Sequence, residues 1–418
     1  MKVLVVGGGG REHALAWKLS RSPGVSSIYV APGNAGTASI AKNVPLQPTD
    51  LDGLLRFAET EQIDFTVVGP DDPLALGIVD RFRAAAKRIF GPTQAAARLE
   101  SSKSFAKEFM RRHGIPTARF ASFDSPAAAL AAIDQFGFPV VVKADGLALG
   151  KGVLIAPDRA SAGRAIRDLM VDKRFGEAGR RVLLEEYLEG DECSIHALVD
   201  GSNFLLFPPA QDHKALYDGN RGPNTGGMGA FSPTSRLTPE QLVKIEQQVL
   251  VPFLAGIQAE RLDFTGLLFP GLMLTKAGPR VLEFNCRFGD PETQALLPRL
   301  QSDLLELLEA TLTGSLHRLH PVWDERACVC VVIASGGYPD RYQTGKPIIG
   351  LEAASKLPQV TVFHAGTRLE DGRVVTSGGR VLGVAALAVS LLSAKRRAYD
   401  AVNLIEFDGH YFRRDIGG

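Results

Sequence analysis

Cysteine, tryptophan and net charge are all scarce in this sequence of 418 residues. It contains 4 cysteines and 2 tryptophans, and its 47 lysines and arginines nearly balance its 46 aspartates and glutamates. Four scattered cysteines are too few for a disulfide framework, so a reducing cytoplasm is the expected compartment. A net charge of +1 argues against a nucleic-acid partner or a membrane surface, because both select strongly basic proteins. Any phosphorylated substrate must therefore be held by local groups.

Long apolar runs are missing as well. The apolar residues 3–6 lead at once into glycines, which leaves a segment too short for a signal peptide. No stretch of about 18 uninterrupted apolar residues occurs, so no membrane-spanning helix is expected. The signatures Gly-x-Ser-x-Gly and His-Glu-x-x-His are absent, which argues against serine hydrolase and zinc peptidase chemistry. The composition is that of an ordinary globular protein, with length for roughly two to four domains.

Short apolar strands alternate with helical patterns over the first hundred residues. Strands are predicted at 3–6, 27–31, 65–68 and 88–90, and helices at 11–19, 50–61 and 74–86. Such alternation is typical of a parallel α/β sheet. We therefore predict that residues 1–102 form a first domain of this class.

The remaining chain has a more mixed pattern. Helices are predicted at 101–113, 237–259, 298–312 and 390–404, and strands at 140–143, 153–156, 181–186, 193–199, 264–275, 280–285, 327–334, 360–366 and 380–389. Residues 208–233 are rich in glycine, proline and asparagine, so they are predicted to form a long loop, and loops of this length are commonly functional. The last hundred residues are interpreted as a small separate domain.

Two glycine-rich segments are similar to nucleotide-binding motifs but incomplete. Residues 7–10 follow a strand and open a helix, where exposed amide groups bind anions. The dinucleotide fingerprint is broken and no acid follows the second strand, so NAD is not expected; a phosphate-binding turn and a merely tight turn both remain open. Residues 146–152 have three residues between their first two glycines and a glycine after Lys151, which excludes a P-loop.

Lys143 ends a strand of three valines, where an ammonium group is costly unless an anion pairs with it. The glycine-rich segment after it can close over nucleotide phosphates and exclude water. A surface lysine beside a long turn is an equally good explanation.

Glu185 and Glu186 are adjacent to each other and can accept from the amino group of adenine, and Glu192 can accept from ribose hydroxyls. A solvated turn explains these glutamates better when they are taken alone.

The strongest cluster lies at residues 282–292. Alternation along a strand places Glu283, Asn285 and Arg287 on one face. A carboxylate and an amide oxygen suit Mg²⁺, which also takes nucleotide phosphates, and the arginine beside them can neutralise a transferring phosphate. Apolar residues flank all three, which disfavours a solvated strand face.

The order of these motifs resembles that of the ATP-grasp superfamily. A lysine precedes a glycine-rich hairpin, Glu-Glu-x-Leu follows, and Glu-x-Asn-x-Arg comes last. Several longer stretches are similar to the glycinamide ribonucleotide synthetase family in particular, and they extend from the first residues to the last. They are residues 5–13, 143–152, 211–214, 222–229, 283–294, 377–383 and 414–417.

This resemblance implies a Rossmann-like domain at 1–102, an ATP-grasp region at 103–319 with a mobile lid at about 115–190, and a small α+β C-terminal domain at 320–418. It implies an ATP-dependent ligation of glycine to 5-phosphoribosylamine in purine biosynthesis, through a glycyl phosphate intermediate, with release of ADP and phosphate. ATP and Mg²⁺ or Mn²⁺ would be required. We expect a monomer with small-molecule substrates only.

Matched position by position, the resemblance also implies roles for single residues. ATP would contact Lys103, Lys143, Gly150, Lys151, Gly152, Glu185, Glu186, Leu188 and Glu192. Glu283 and Asn285 would bind the metal, and Arg287 and Lys143 would act at the acyl phosphate. The substrate side would consist of Gly9, Gly10, Arg11, Asp212, Lys214, Asn224, Thr225, Gly226, Gly227, Asp290 and Glu292.

Two positions depart from the pattern. The strand predicted at 264–275 has no acid, so a second metal is not expected, and Asp71 stands where the family commonly has glutamate after Gly-Pro. Three alternatives remain: another ATP-grasp ligase or carboxylase, a non-catalytic nucleotide-binding module, and a nicotinamide-dependent dehydrogenase.

Overall fold

A five-stranded parallel sheet begins the computed structural model, which describes residues 1–148 and 151–418. Its strands are Lys2–Gly7 (β1), Ser27–Pro32 (β2), Lys42–Asn43 (β3), Phe65–Val68 (β4) and Ile89–Phe90 (β5). They lie in the order β3-β2-β1-β4-β5 and all pair in parallel. The apolar run of β1 is fully buried, as expected for a parallel sheet covered on both faces. The α/β class predicted from alternation is confirmed.

Helices connect these strands. They are Gly10–Leu19 (α1), Leu51–Thr60 (α2), Asp71–Ala75 (α3), Ile78–Ala84 (α4) and Gln94–Ser101 (α5). The prediction of a single helix at 74–86 is wrong. Gly77 has a φ of 88°, a left-handed conformation that interrupts the helical hydrogen bonds and separates α3 from α4. Neither β3, which is too short to show a period, nor α5 was predicted.

The next unit is an antiparallel sheet with two helices, which we call the lid. After Lys103–Arg112 (α6), it contains Phe120–Phe123 (β6), Pro126–Ala132 (α7), Val140–Ala144 (β7), Val153–Ala156 (β8), Arg159–Ile166 (α8) and Val182–Glu186 (β9). The strand order is β6-β9-β7-β8. The lid has an apolar cluster of its own between its helices and its sheet. Ser102 caps α6, since its hydroxyl accepts from the backbone nitrogen of Phe105 at 3.3 Å.

The middle of the chain adds nine strands and four helices. The strands are Asp191–Ser194 (β10), Ala197–Val199 (β11), Phe204–Leu206 (β12), Gln211–Asp212 (β13), Ala215–Tyr217 (β14), Arg221–Asn224 (β15), Gly229–Ser232 (β16), Gly266–Thr275 (β17) and Gly278–Asn285 (β18). The helices are Pro239–Ile245 (α9), Val251–Ala259 (α10), Glu292–Leu296 (α11) and Leu304–Leu312 (α12). The sheet runs β10-β17-β11-β12, with β18 antiparallel to β17 as predicted. The strand predicted at 193–199 is divided between β10 and β11.

The final region contains Ala327–Ala334 (β19), Leu351–Ser355 (α13), Val360–His364 (β20), Thr367–Glu370 (β21), Arg373–Thr376 (β22), Arg380–Ala388 (β23) and Leu391–Val402 (α14). Its main sheet has the order β13-β16-β19-β23-β20. Two of these strands, β13 and β16, come from the segment 208–233 that was predicted to be a loop. That prediction is wrong for a physical reason: the pairing partner of β16 is β19, about a hundred residues further along, so local sequence carries little sign of it.

None of the helices within residues 1–148 and 151–418 has the length and apolar character needed to cross a membrane.

Candidate active site

Lys143 and the strand that carries Glu283 lie next to each other, although about 140 residues separate them in sequence. The ammonium of Lys143, on β7, is 3.4 Å from the carbonyl oxygen of Leu282 on β18. It is also 2.9 Å from Oε2 of Glu185 on β9, which pairs with Val141 and is therefore a diagonal neighbour of Lys143 on the same face of the lid sheet. The motifs that the sequence placed in distant segments therefore converge at one place.

Glu185 holds two lysines with one oxygen. The ammonium of Lys107 lies 3.0 Å from the same Oε2 and 2.7 Å from the hydroxyl of Thr117. Burial raises the pKa of Glu185, but the two lysines outweigh burial and lower it overall. The other oxygen, Oε1, is buried and has no hydrogen-bond partner among the described residues. Glu185 can thus accept one further hydrogen bond from a bound molecule.

Lys107 was not predicted as a site residue. It is almost completely buried, and burial lowers its pKa to about 8 despite the opposing charge of Glu185. One signal was present in the sequence: Lys103 and Lys107 are four residues apart on α6 and therefore lie on one face of the helix. The ammonium of Lys103 donates to the carbonyl of Gly146 at 3.1 Å, at the start of the glycine-rich segment.

The other residues predicted to contact ATP have different surroundings from one another. The carboxylate of Glu186 accepts from the backbone nitrogen of Arg119 at 2.8 Å, so its side chain is already engaged. Leu188 lies in the partly exposed segment after β9, and Glu192 lies on β10, 3.3 Å from the ammonium of Lys214. This ion pair joins a residue predicted to bind ribose with one predicted on the substrate side.

The glycine-rich segment is only partly described. Gly150 lies outside the described residues. The ammonium of Lys151 donates to the carbonyl oxygen of Pro339 at 2.6 Å, which links the lid to the C-terminal region. Gly152 is buried, and a Cβ there would lie 2.8 Å from that of Ala148, so a larger residue would collide. The contact of this segment with ATP stays a prediction.

Glu283 is surrounded by positive charge. Burial raises its pKa, but nearby cations lower it overall, with Lys214 and Lys103 contributing most. Two residues along β18, Asn285 donates to the carbonyl of Phe269 at 3.3 Å and accepts from Arg287 at 3.1 Å. Among the described residues, no three histidine, cysteine, aspartate or glutamate side chains form a group that could hold a metal. A metal here would depend on Glu283, Asn285 and oxygens of a ligand.

Arg287 is paired with Glu100, a residue that sequence reasoning missed. Nη2 of Arg287 lies 3.0 Å from Oε1 of Glu100, and Oε2 of Glu100 accepts from the backbone nitrogen of Cys286 at 2.7 Å. Glu100 is in the last turn of α5, where the sequence gives no sign of a buried acid. Burial raises the pKa of Glu100 to about 7, although Arg287 opposes the shift.

This shift predicts a pH-dependent stability. The unfolded chain loses the Glu100 proton near 4.5, whereas the folded protein keeps it until about pH 7. The free energy of unfolding should therefore fall between these values, by up to about 3 kcal/mol at ~1.36 kcal/mol per pKa unit. Urea unfolding of the native chain and of Glu100→Gln at pH 5 and pH 8 measures it: the native chain should lose stability relative to the variant. A constant difference between the two would contradict the shift.

The turn after β1 lies against the segment after β18. The guanidinium of Arg11 donates to the carbonyl of Phe288 at 3.1 Å and to Glu12 at 2.6 Å, and Glu12 accepts from Gly9 at 2.7 Å. A Cβ on Gly9 would lie 3.4 Å from a carboxylate oxygen of Asp290. Gly10 is equally confined, because a Cβ there would be 2.6 Å from the amide of Gln294. The predicted residues of the first domain thus meet Asp290 directly.

Segment 208–233 contains further residues that were predicted on the substrate side. The hydroxyl of Thr225 donates to the carbonyl of Lys214 at 2.8 Å and accepts from Gly227 at 3.0 Å. Asn224 is exposed at the end of β15. Arg380, on β23, donates to the carbonyl oxygens of Gly226 and Asp290 at 2.5 and 2.7 Å. Arg380 was not predicted as a site residue, although it lies within the stretch 377–383.

Asp212 and Glu292 add buried acids beside Lys214. Burial raises the pKa of Asp212 and of Glu292; the charge of Glu192 adds to the rise at Asp212, and the charge of Asp212 adds to the rise at Glu292. Burial would lower the pKa of Lys214, but Asp212 and Glu192 raise it overall, so its ammonium stays charged. The predicted substrate side therefore combines the cation of Lys214 with two acids that hold protons more readily than usual.

Comparisons with known proteins agree with this geometry. The chain matches the sequence models described as phosphoribosylglycinamide synthetase N domain at residues 1–100, ATP-grasp (A) domain at 101–293 and C domain at 328–418. It is 53% identical over its whole length to phosphoribosylamine--glycine ligase of Allochromatium vinosum, covering 98% of that protein, and 52% identical to that of Xanthomonas axonopodis pv. citri, covering 97%.

A solved structure gives the same result. Phosphoribosylamine--glycine ligase from Thermotoga maritima is similar with a TM-score of 0.87 and 34% identity, over 99% of this chain and 100% of that one. The predicted arrangement of a first α/β domain, an ATP-grasp domain and a C-terminal domain is confirmed. The chain belongs to the phosphoribosylglycinamide synthetase family.

Proposed function

We propose that this chain joins the carboxylate of glycine to the amine of 5-phosphoribosylamine, at the expense of ATP, to give N1-(5-phosphoribosyl)glycinamide, ADP and phosphate. The observation that carries the proposal is the convergence of Lys143 with the strand of Glu283, in a chain more than 50% identical to proteins named phosphoribosylamine--glycine ligase. A monomer and a cytoplasmic location stay predictions.

The ATP-grasp domain implies the use of ATP with a divalent metal, and the side chains support a place for the nucleotide. Lys103 and Lys143 supply positive charge beside the glycine-rich segment, which suits the phosphates. The unpartnered Oε1 of Glu185 suits the amino group of adenine, because a buried acceptor left without a donor is costly. Glu186 and Leu188 would contribute backbone groups, and Glu192 would accept from the ribose.

Glu283 and Asn285 fit a hard cation. Their oxygens are of the type that Mg²⁺ and Mn²⁺ prefer, and the lowered pKa of Glu283 keeps its carboxylate ionised at neutral pH. With so few protein ligands, the ion would be completed by phosphate oxygens, which is usual for Mg²⁺ sites. Such an ion would neutralise charge on the phosphate that is transferred.

The chain's own residues would then position and stabilise the reacting groups. A carboxylate is a poor electrophile, and its phosphorylation by ATP gives glycyl phosphate, which has a good leaving group. Arg287 and Lys143 can stabilise the charge that develops on the transferring phosphate, since the burial of both strengthens their fields. The amine then attacks the acyl carbon and phosphate leaves.

On the substrate side, the turn at Gly9, Gly10 and Arg11 presents a helix N-terminus, which suits the phosphate of phosphoribosylamine. Lys214, with Asp212 and Glu292 around it, suits the polar groups of the two substrates. The segment Asn224–Gly227 and Asp290 are joined through Arg380 and would close this side of the cleft.

A product assay tests the proposal. ADP should form with a metal ion only when glycine and phosphoribosylamine are both present, and ~1 equivalent of glycinamide ribonucleotide should appear for each ADP. Formation of ADP with bicarbonate in place of glycine would point to a carboxylase of the same fold. Binding of ATP without any product would point to a non-catalytic nucleotide-binding protein.

A further inference from the structure

Hydrogen bonds from other parts of the chain hold the hairpin of β14 and β15 to the rest of the molecule. Its two strands form a separate two-stranded sheet, and the whole of β15 is exposed. A two-stranded hairpin is marginally stable in water by itself. Its base carries Lys214 and Thr225, two residues predicted on the substrate side, and the backbone nitrogen and hydroxyl of Thr225 both donate to the carbonyl of Lys214. The position of these residues therefore depends on what supports the hairpin.

Arg413 provides the largest part of that support. Its side chain has no exposed surface. The guanidinium donates to the carbonyl of Ala215 at 2.9 Å, to the side-chain oxygen of Asn220 at 3.0 Å and to both oxygens of Asp415 at 2.7 Å. One side chain thus joins a strand of the hairpin, its turn and the segment around residue 415.

Neighbouring groups complete the contact with the turn. Asp415 accepts from the backbone nitrogen of Gly219 at 2.8 Å, and the backbone nitrogen of Arg414 donates to Asp218 at 2.8 Å. The hydroxyl of Tyr411 donates to the carbonyl of Leu216 at 3.1 Å. Burial would raise the pKa of Asp415, but its bonds to Arg413 and Gly219 hold it well below its ordinary value. We call residues 411–415 the clamp.

The clamp is connected to the cleft through the hairpin base. The carbonyl of Lys214 accepts from both the nitrogen and the hydroxyl of Thr225 at 2.8 Å, and the ammonium of Lys214 reaches Glu192 at 3.3 Å. Displacement of the hairpin would therefore move the ammonium of Lys214 away from Asp212 and Glu292. The residues predicted at the ATP phosphates and the metal are on α6, β7 and β18, outside the hairpin, although Lys214 lowers the pKa of Glu283 and pairs with Glu192.

We propose that Arg413 and Asp415 are positioning residues that set the affinity for glycine or phosphoribosylamine, and the affinity for ATP far less, by fixing the hairpin that carries Lys214. This inference rests on the proposed function for the identity of the two substrates. It gives a role to the stretch 414–417, in which the side chain of Asp415 bonds to Arg413 and to the turn of the hairpin.

The kinetic test uses Arg413→Lys and Asp415→Asn in the full chain. Arg413→Lys keeps the charge but cannot reach four acceptors, because lysine lacks the forked donors of arginine. The matched control is Arg414→Gln, which removes the exposed guanidinium next to it and leaves the clamp bonds in place. The KM for glycine or phosphoribosylamine should rise at least ~10-fold in both clamp variants, the KM for ATP should stay within ~2-fold, and the control should match the native chain.

A second readout does not depend on activity. Arg221 is exposed on the hairpin, and trypsin cleaves after arginine only where the backbone can leave its folded conformation. Cleavage after Arg221, identified by mass spectrometry, should be much faster in both clamp variants than in the native chain and in Arg414→Gln. If the native chain forms no ADP with the two substrates, the proposed function fails, and this readout still tests whether the clamp fixes the hairpin.

The outcomes separate a positioning role from a merely structural one. General destabilisation would reduce the active fraction, and so kcat, with every KM unchanged, which would overturn the inference. An equal rise in the KM for ATP would overturn it too. Faster cleavage with unchanged KM values would show that the hairpin is freed without consequence for the substrates, and unchanged cleavage would show that Arg413 does not hold it.

Discussion

Replacing Glu283 with glutamine is expected to reduce kcat/KM at least ~10³-fold, which corresponds to roughly 4 kcal/mol of transition-state stabilisation. The substitution keeps the size and one oxygen but removes the only carboxylate of the proposed metal pair. It also leaves the ammonium groups of Lys103, Lys143 and Lys214 facing a neutral group where they now face an anion. ADP formation measured over a range of Mg²⁺ concentrations checks this prediction.

The matched control for this variant is Glu325→Gln, because Glu325 is exposed and lies far along the chain from β18. The control should behave like the native chain. Higher Mg²⁺ should recover part of the activity of Glu283→Gln, since a weakened metal site is filled again by mass action. Activity within about tenfold of the native chain at low Mg²⁺ would contradict the role of Glu283 as a metal ligand.

Replacing Arg287 with alanine is expected to lower kcat by about 10²–10³-fold and to change the affinity for ATP by less than about threefold. The reason is that a cation beside the transferring phosphate matters most when charge develops there, in the transition state. Single-turnover measurement of ADP formation and equilibrium titration with ATP give the two quantities separately. Equal losses in both would mean that Arg287 only binds the ground state.

The pair of Arg287 with Glu100 requires a control of its own, because alanine also leaves that acid without its partner. Glu100→Gln keeps the guanidinium and removes the partner's charge. It should retain kcat within about tenfold, whereas Arg287→Lys, which keeps the charge but loses the forked donors, should fall between the native chain and the alanine variant. If Glu100→Gln loses as much as Arg287→Ala, the effect comes from the broken pair.

The sequence predicted the site best where the arrangement of side chains depends on residues close together in the sequence. The alternation of Glu283 with Asn285 and the strand that carries Lys143 required only the period of a β-strand, and both strands form; β18 ends at Asn285, so the prediction that Arg287 lies on the same strand is wrong. The sequence could not indicate that Glu185 binds two lysines through one oxygen, since Lys107 comes from a helix of the preceding segment. Oε1 of Glu185 has no hydrogen-bond partner among the described residues, and its contact with adenine stays a prediction.

The features that the sequence missed depend on distant partners. Glu100 is an ordinary helical acid until α5 packs beside β18, and β16, within 208–233, depends on its distant partner β19. Arg380 lies within the stretch 377–383 that resembles the family and Arg413 immediately precedes the stretch 414–417, but the carbonyl oxygens of Gly226 and Ala215 that they meet are more than 100 residues away. A pattern of side chains cannot show which carbonyl an arginine will meet.

The pairing of β16 with β19 has a consequence for synthesis of the chain on the ribosome. Strands β7 and β18, which carry Lys143 and Glu283, are complete once residue 285 has emerged, whereas the sheet beneath Thr225 must wait for residues 327–388. Since domains fold as they leave the exit tunnel, the strands that carry Lys143 and Glu283 can pair with their neighbours before β16 has its partner β19.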